Sequence, residues 1–80
     1  MATLRLFASA REAAGTSHDL VPGATVGEVL AGARARYGAD FAAVLATCRV
    51  WCNGEPAVDD DPVGDEDEVA VLPPVSGGAR

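Results

Sequence analysis

The run Pro73-Pro74-Val75-Ser76-Gly77-Gly78-Ala79-Arg80 holds the group best placed for chemistry inside another protein. Gly77 and Gly78 have no side chains, so a segment ending in them threads a narrow channel and presents a backbone carboxylate at its far end. Small residues are common at chain ends, and a Gly-Gly pair alone says little. The context says more: an apolar run, Val69-Ala70-Val71-Leu72, then two prolines that stop a strand and stiffen the exit, then unencumbered peptide. Fully extended, Ser76 to Gly78 span roughly 10 Å at ~3.3 Å per residue, enough to reach into a channel while the domain stays outside. On this reading the chain is a carrier or substrate with no catalytic residues of its own.

The other reactive side chains form no competing site. His18 is the single histidine, with no Ser or Cys nucleophile patterned around it. Cys48 and Cys52 supply two of the four ligands a structural zinc site wants, so no metal site is expected. They are expected to be a buried and a half-buried thiol in a reducing, cytoplasmic setting. Asp59 and Asp61 open an acidic stretch, but the fifth and twelfth positions of a calcium loop begun at Asp59 are Val63 and Ala70. Asp59-Asp60-Asp61 and Asp65-Glu66-Asp67-Glu68 therefore read as solvated turns. Gly15, Gly23 and Gly27 match neither phosphate-loop pattern, so no cofactor is expected to bind.

Charge narrows the partners. The formal net charge is −6 and all six basic residues are arginines. Phosphate backbones and anionic membrane surfaces are poor matches, whereas a basic protein cleft is favoured by net charge. No apolar run approaches the ~20 residues that span a bilayer.

The chain has 80 residues, enough for one domain. Thr3 to Ala8 alternates as a strand, with Leu4, Leu6 and Ala8 on one face and Arg5 and Phe7 on the other. If Leu4 and Leu6 enter the core, Phe7 faces out as an interface residue; otherwise the following loop covers it or the register is inverted. A helical turn at 10–14 and a strand from Ser17 to Val21 follow, a hairpin with a long loop. Thr25 and Glu28 form a capping box for a helix carrying Val26, Val29, Leu30, Ala33 and Tyr37, stopped by Gly38. Gly27 and Gly32 weaken that helix by ~1 kcal/mol each relative to Ala, so packing must hold it. Asp40 is expected to cap a second, shorter helix through Phe41, Val44 and Leu45. Arg49 to Cys52 reads as a strand ending at the Asn53-Gly54 turn, Glu55 to Val58 as a short edge strand, and Val69 to Leu72 as the last strand.

This order suits an α+β fold: a mixed sheet of four to five strands with one main helix on one face and the first and last strands parallel in the middle. That is the β-grasp, or ubiquitin-like, arrangement. Residues 1–75 form the domain and 76–80 the tail. With Leu4, Leu6, Val69 and Val71 inside, Phe7 and Leu72 share the open face near the tail's base.

Phe7-Ala8, Arg11-Glu12 and Gly15-Thr16 near one end, Asn53, then Asp67-Glu68-Val69-Ala70 and Pro73-Pro74-Val75-Ser76-Gly77-Gly78 carry a resemblance. In this order and spacing they resemble the MoaD/ThiS family of sulfur carriers, most closely its MoaD branch. The resemblance implies that the Gly78 carboxylate is adenylated by a MoeB-type enzyme using ATP and converted to a thiocarboxylate. A MoaE-type large subunit then uses it to build molybdopterin; thiamine or cysteine synthesis are the alternative destinations, and a β-grasp binding module with an inert tail is another. It also implies partner contacts at Phe7, Arg11, Leu72, Pro73, Pro74 and Val75, with Ser76, Gly77 and Gly78 threading into the partners. Two departures stand out. Glu66 occupies a position where Gly is usual, and Ala79-Arg80 follow Gly78: a precursor trimmed by a processing peptidase is the favoured explanation, a relative whose tail is never activated an alternative.

Overall fold

The computed structural model describes residues 1–74. Five strands form one mixed sheet in the order β2-β1-β5-β3-β4. β5 (Glu68–Leu72) lies at its centre, parallel to β1 (Ala2–Leu6), which in turn is antiparallel to β2 (His18–Val21) at the edge. β3 (Arg49–Cys52) runs antiparallel to β5 on its other side, and β4 (Glu55–Pro56) is the edge where a proline costs no ladder bond. The expected β-grasp arrangement is thus present, central parallel pair included.

Period-two alternation sets the core. Leu4, Leu6, Val69 and Val71 are 0–1% exposed on one face of the central pair. Against them packs α2 (Val26–Tyr37) through Val26, Val29, Leu30 and Ala33. α1 (Ala8–Ala14) and α3 (Ala39–Leu45) close the layer with Ala10, Phe41 and Leu45. Three local expectations need correction. Ala8 leaves the strand and begins α1, so the first connection holds a whole helix rather than a turn. Gly38, at φ 95°, not Asp40, precedes α3; Asp40 sits in the first turn with no capping bond. Cys48 and Cys52 are both half-buried and unpaired, and burial pushes both thiols up.

The main helix shows why its poor propensity suffices. Helix starts leave their first amides without partners. Here the Val26 and Gly27 amides donate to the carbonyls of Asp61 and Asp59, each at 2.9 Å, and the Glu28 amide donates to Thr25 Oγ1 at 3.2 Å. A Cβ on Gly27 would sit 3.1 Å from Asp59 Cβ and 3.2 Å from its carbonyl oxygen, so the glycine lets the acidic loop close over the helix start. Glu28 completes the box one residue early, accepting from the Ala24 amide at 2.8 Å.

The helix's other end is fastened to β2. Asp19 Oδ2 accepts from Tyr37 Oη at 2.5 Å and from Arg36 Nη1 at 2.8 Å, and the same Arg36 nitrogen donates to Leu20 O at 2.9 Å. The Tyr37 hydrogen bond, then that of Arg36, lowers the Asp19 carboxyl from 3.8 to about 2. Burial, then the Asp19 bond, pushes the Tyr37 phenol from 10.0 up to about 12. A depressed carboxyl stabilises the fold above its unfolded value of 3.8 and loses that contribution as pH falls toward about 2. A raised phenol does the reverse: its contribution is full below 10.0 and is lost as pH climbs through about 12. Asp19→Asn should therefore be less stable than the wild type at neutral pH, with the gap closing at the acid end. Urea unfolding across the acid range checks this; a constant gap would contradict the assignment.

Candidate functional site

The sheet face turned away from the helices carries the exposed partners of the core residues. Because β3 pairs with β5 in the register Arg49↔Leu72 and Trp51↔Ala70, Arg49 and Trp51 join Ala70 and Leu72 on this face. Arg5, opposite Ala70 in the β1–β5 register, brings Phe7 beside them. Phe7, Arg49, Trp51, Ala70 and Leu72, together with Gly54, Glu68, Pro73 and Pro74, line an open groove of about 490 Å³.

Phe7 is 40% exposed, a large aromatic left facing outward. Two features hold it there. The next residue, Ala8, has φ 51°, a left-handed conformation costing a non-glycine residue about 1–2 kcal/mol, and it turns the chain sharply into α1. The Arg5 guanidinium carbon lies 5.9 Å from the ring centroid, while Arg5 Nη1 is 3.2 Å from Glu68 Oε2. The aromatic is thus stacked under a cation that is itself anchored across the sheet.

Asn53, beside the groove, ties the two strands of its wall together. Its amide donates to Glu68 O at 2.9 Å, its Oδ1 accepts from the Glu68 amide at 2.9 Å, and its Nδ2 donates to Asp67 Oδ1 at 3.0 Å. Asn53 (φ 52°) and Gly54 (φ 86°) make a turn with two successive left-handed residues, the reason for an Asn-Gly pair here. These bonds fix the start of β5 against the β3–β4 hairpin and so align Trp51 with Ala70. The Asn53 bond, then the Gly64 amide, holds the Asp67 carboxyl below its ordinary value. The acidic turns are structural: Asp61 Oδ2 accepts from the Val58 amide at 2.9 Å and Asp67 Oδ2 from the Gly64 amide at 2.8 Å. Glu66 lies exposed within the Gly64–Asp67 turn, and its backbone is not left-handed, so a side chain is carried there without strain.

Of the expected interface residues, Phe7, Leu72, Pro73 and Pro74 come together on the groove. Arg11 does not line it; it is exposed on α1, one turn beyond Phe7, its amide 3.4 Å from Phe7 O. Val75, Ser76, Gly77 and Gly78 lie outside the described residues. Trp51 and Arg49 were missed from the sequence. The alternation of Arg49-Val50-Trp51-Cys52 carried the signal, but only the pairing with β5 says which face is the open one. His18 is exposed, with Ser17 Oγ 3.3 Å from its Nδ1, and stands apart from the groove. Among the described residues no group of His, Cys, Asp and Glu is arranged to hold a metal ion, and no helix is long and apolar enough to cross a membrane.

Known structures share this architecture. SAMP1 from Haloferax volcanii superposes with a TM-score of 0.79 at 32% identity, covering 95% of this chain and 97% of that one. The small archaeal modifier protein 1 of Methanosarcina acetivorans gives a TM-score of 0.83 at 28% identity, over 96% and 95% of the two chains. A putative molybdopterin converting factor, subunit 1, from Pyrococcus furiosus gives 0.78 at 26% identity, over 92% and 97%. Among curated protein sequences, none matches this chain. The model of the ThiS family matches residues 4–78.

Proposed function

We propose, for a chain that belongs to the ThiS family, that it is a sulfur carrier whose reacting group is the carboxylate of Gly78. A carboxylate is a poor electrophile. Its oxygen attacks the α-phosphate of ATP on a MoeB-type partner, releasing pyrophosphate and leaving an acyl adenylate. Sulfide delivered by a donor then attacks the acyl carbon, breaks its bond to AMP and leaves a thiocarboxylate, a nucleophile on a tether. Molybdopterin synthesis with a MoaE-type subunit is the first destination, in keeping with the Pro-Pro-Val-Ser-Gly-Gly ending and with the Pyrococcus relative. Thiamine or cysteine synthesis takes the same chemistry elsewhere.

The observation that carries this reading is positional. The groove of Phe7, Trp51 and Leu72 runs into Pro73 and Pro74, the root of the segment that reaches Gly78, and the family match ends at Gly78. A partner seated on the groove is poised to receive the tail. Ala79 and Arg80 lie beyond the match, and a peptidase removes them before activation.

Two of the similar proteins are named modifiers, which favours a second reading in which the activated Gly78 is joined to amines of other proteins. Intact mass separates these outcomes. The chain ending at Gly78, given a MoeB-type enzyme, ATP and a sulfur donor, should first gain AMP and then exchange one oxygen for sulfur. Neither the chain ending at Arg80 nor a chain lacking Gly77 and Gly78 should do so. Absence of both species from the chain ending at Gly78 would overturn the carrier reading. Adducts on partner lysines in place of the sulfur product would favour the modifier.

A further inference from the structure

The net charge of −6 suggests a basic partner, but its distribution points the other way. β1 and β5 are parallel, so their starts share one end of the sheet and their finishes the other. At the starting end lie Asp65, Glu66 and Asp67, with the Met1 amine 2.7 Å from Asp65 Oδ1. At the finishing end lie Phe7, Leu72, Pro73 and Pro74, and Arg49 opposite Leu72. Arg11 follows one helical turn after Phe7. Arg49 is exposed, and among the described residues neither it nor Arg11 has a carboxylate partner. The remaining charge on the groove, Glu68, is paired with Arg5.

The two ends are electrically separate. From Glu68 to Leu72 is four strand steps, about 13 Å at ~3.3 Å each, whereas charges in physiological salt are screened over ~8 Å. Asp59 shares a neighbouring hollow with Arg49 and Glu12 follows Arg11 on α1, but neither forms an ion pair with Arg49, so a surface approaching the tail end meets an apolar face that carries an unpaired guanidinium. Burying Arg49 unpaired beside Trp51 and Leu72 would strand a charge; a carboxylate on the approaching surface satisfies it.

We infer that the surface receiving this face is apolar with an acidic rim, and that a carboxylate beside the tail's entrance pairs with Arg49, making Arg49 a determinant of partner choice. The occupant is a protein that takes the C-terminal tail, so the inference rests on the carrier reading above and adds the partner's charge. It gives the tail a reason to enter in one orientation: turned end for end, the domain would bring its acidic turn against the acidic rim, a like-charge contact that disfavours the wrong pose.

The probe is a recombinant MoeB-type adenylating enzyme, with the chain ending at Gly78 titrated by calorimetry at physiological salt. Arg49→Glu is expected to weaken binding about tenfold or more, because the rim then faces a like charge. Arg49→Lys, which keeps the charge, should retain most of the affinity. Glu66→Lys, a reversal at the far end, should stay within about twofold, since screening isolates it. Arg49 is exposed and unpaired, so melting curves of the Arg49 variants should overlay the wild type. Affinity unchanged or raised by Arg49→Glu, or lowered equally by Glu66→Lys, overturns the inference while leaving adenylation intact. Binding that responds as expected with no AMP-bearing chain by mass spectrometry overturns the carrier reading alone. A wild-type chain that does not bind overturns both.

Discussion

Gly78→Ala, in a chain ending at that residue, is expected to lose at least tenfold in adenylation rate while melting at the wild-type temperature. The two readouts separate because the tail and the core are different parts of the chain. The described core ends at Val71, so the substitution changes none of its side chains. In the partner the same methyl group lies on the carbon next to the reacting carboxyl. A channel that admits bare peptide has no room for a Cβ, and an attacking oxygen displaced by about 1 Å from the α-phosphate can lose about 10²-fold in rate. Tenfold corresponds to about 1.4 kcal/mol of transition-state stabilisation. Pyrophosphate release with the MoeB-type enzyme measures the first quantity and differential scanning calorimetry the second. Wild-type adenylation of the variant would refute threading; a lowered melting temperature would place the tail in the fold.

Phe7→Ala is the second large effect. Buried aromatic anchors at protein interfaces commonly contribute 2 kcal/mol or more, about 30-fold in Kd. Phe7 is already 40% exposed in the free domain and its cationic contact with Arg5 lies at the surface. Surface cation–π contacts are worth about 0.5–1 kcal/mol, so stability should fall by no more than that. Binding to the adenylating enzyme should thus weaken about 30-fold with little change in urea midpoint. A stability loss of the size seen for core truncations, about 3 kcal/mol or more, would show the ring to be covered in solution. Unchanged affinity would remove the groove from the docking surface.

How much of this was legible in the sequence depends on the range of the interaction. Alternation along β1 and β5 grouped Leu4, Leu6, Val69 and Val71 against Phe7 and Leu72, because the period of a strand is local, but left open which way Phe7 faces; the structure buries the first set and exposes Phe7. Thr25, Gly38, Asn53 and Gly54 marked real boundaries for the same reason. The misses are non-local. Ala8 breaks the strand at a φ that alanine seldom takes, imposed by the helix that must follow. Trp51 and Arg49 join the site only through the β3–β5 register. Asp59 and Asp61, read as solvated turns, lend backbone carbonyls to a helix more than thirty residues earlier. Asp19, Arg36 and Tyr37 meet across the gap between β2 and α2, where no short motif links them.

The side-by-side, same-direction arrangement of β1 and β5 has a mechanical meaning. A partner that grips the far end of the chain and draws on it, while the opposite end of the molecule is held, loads every cross-strand bond of that pair at once. Bonds stressed together in shear give way at higher force than bonds peeled open one by one. The domain is built to withstand a tug along the direction in which its end is used.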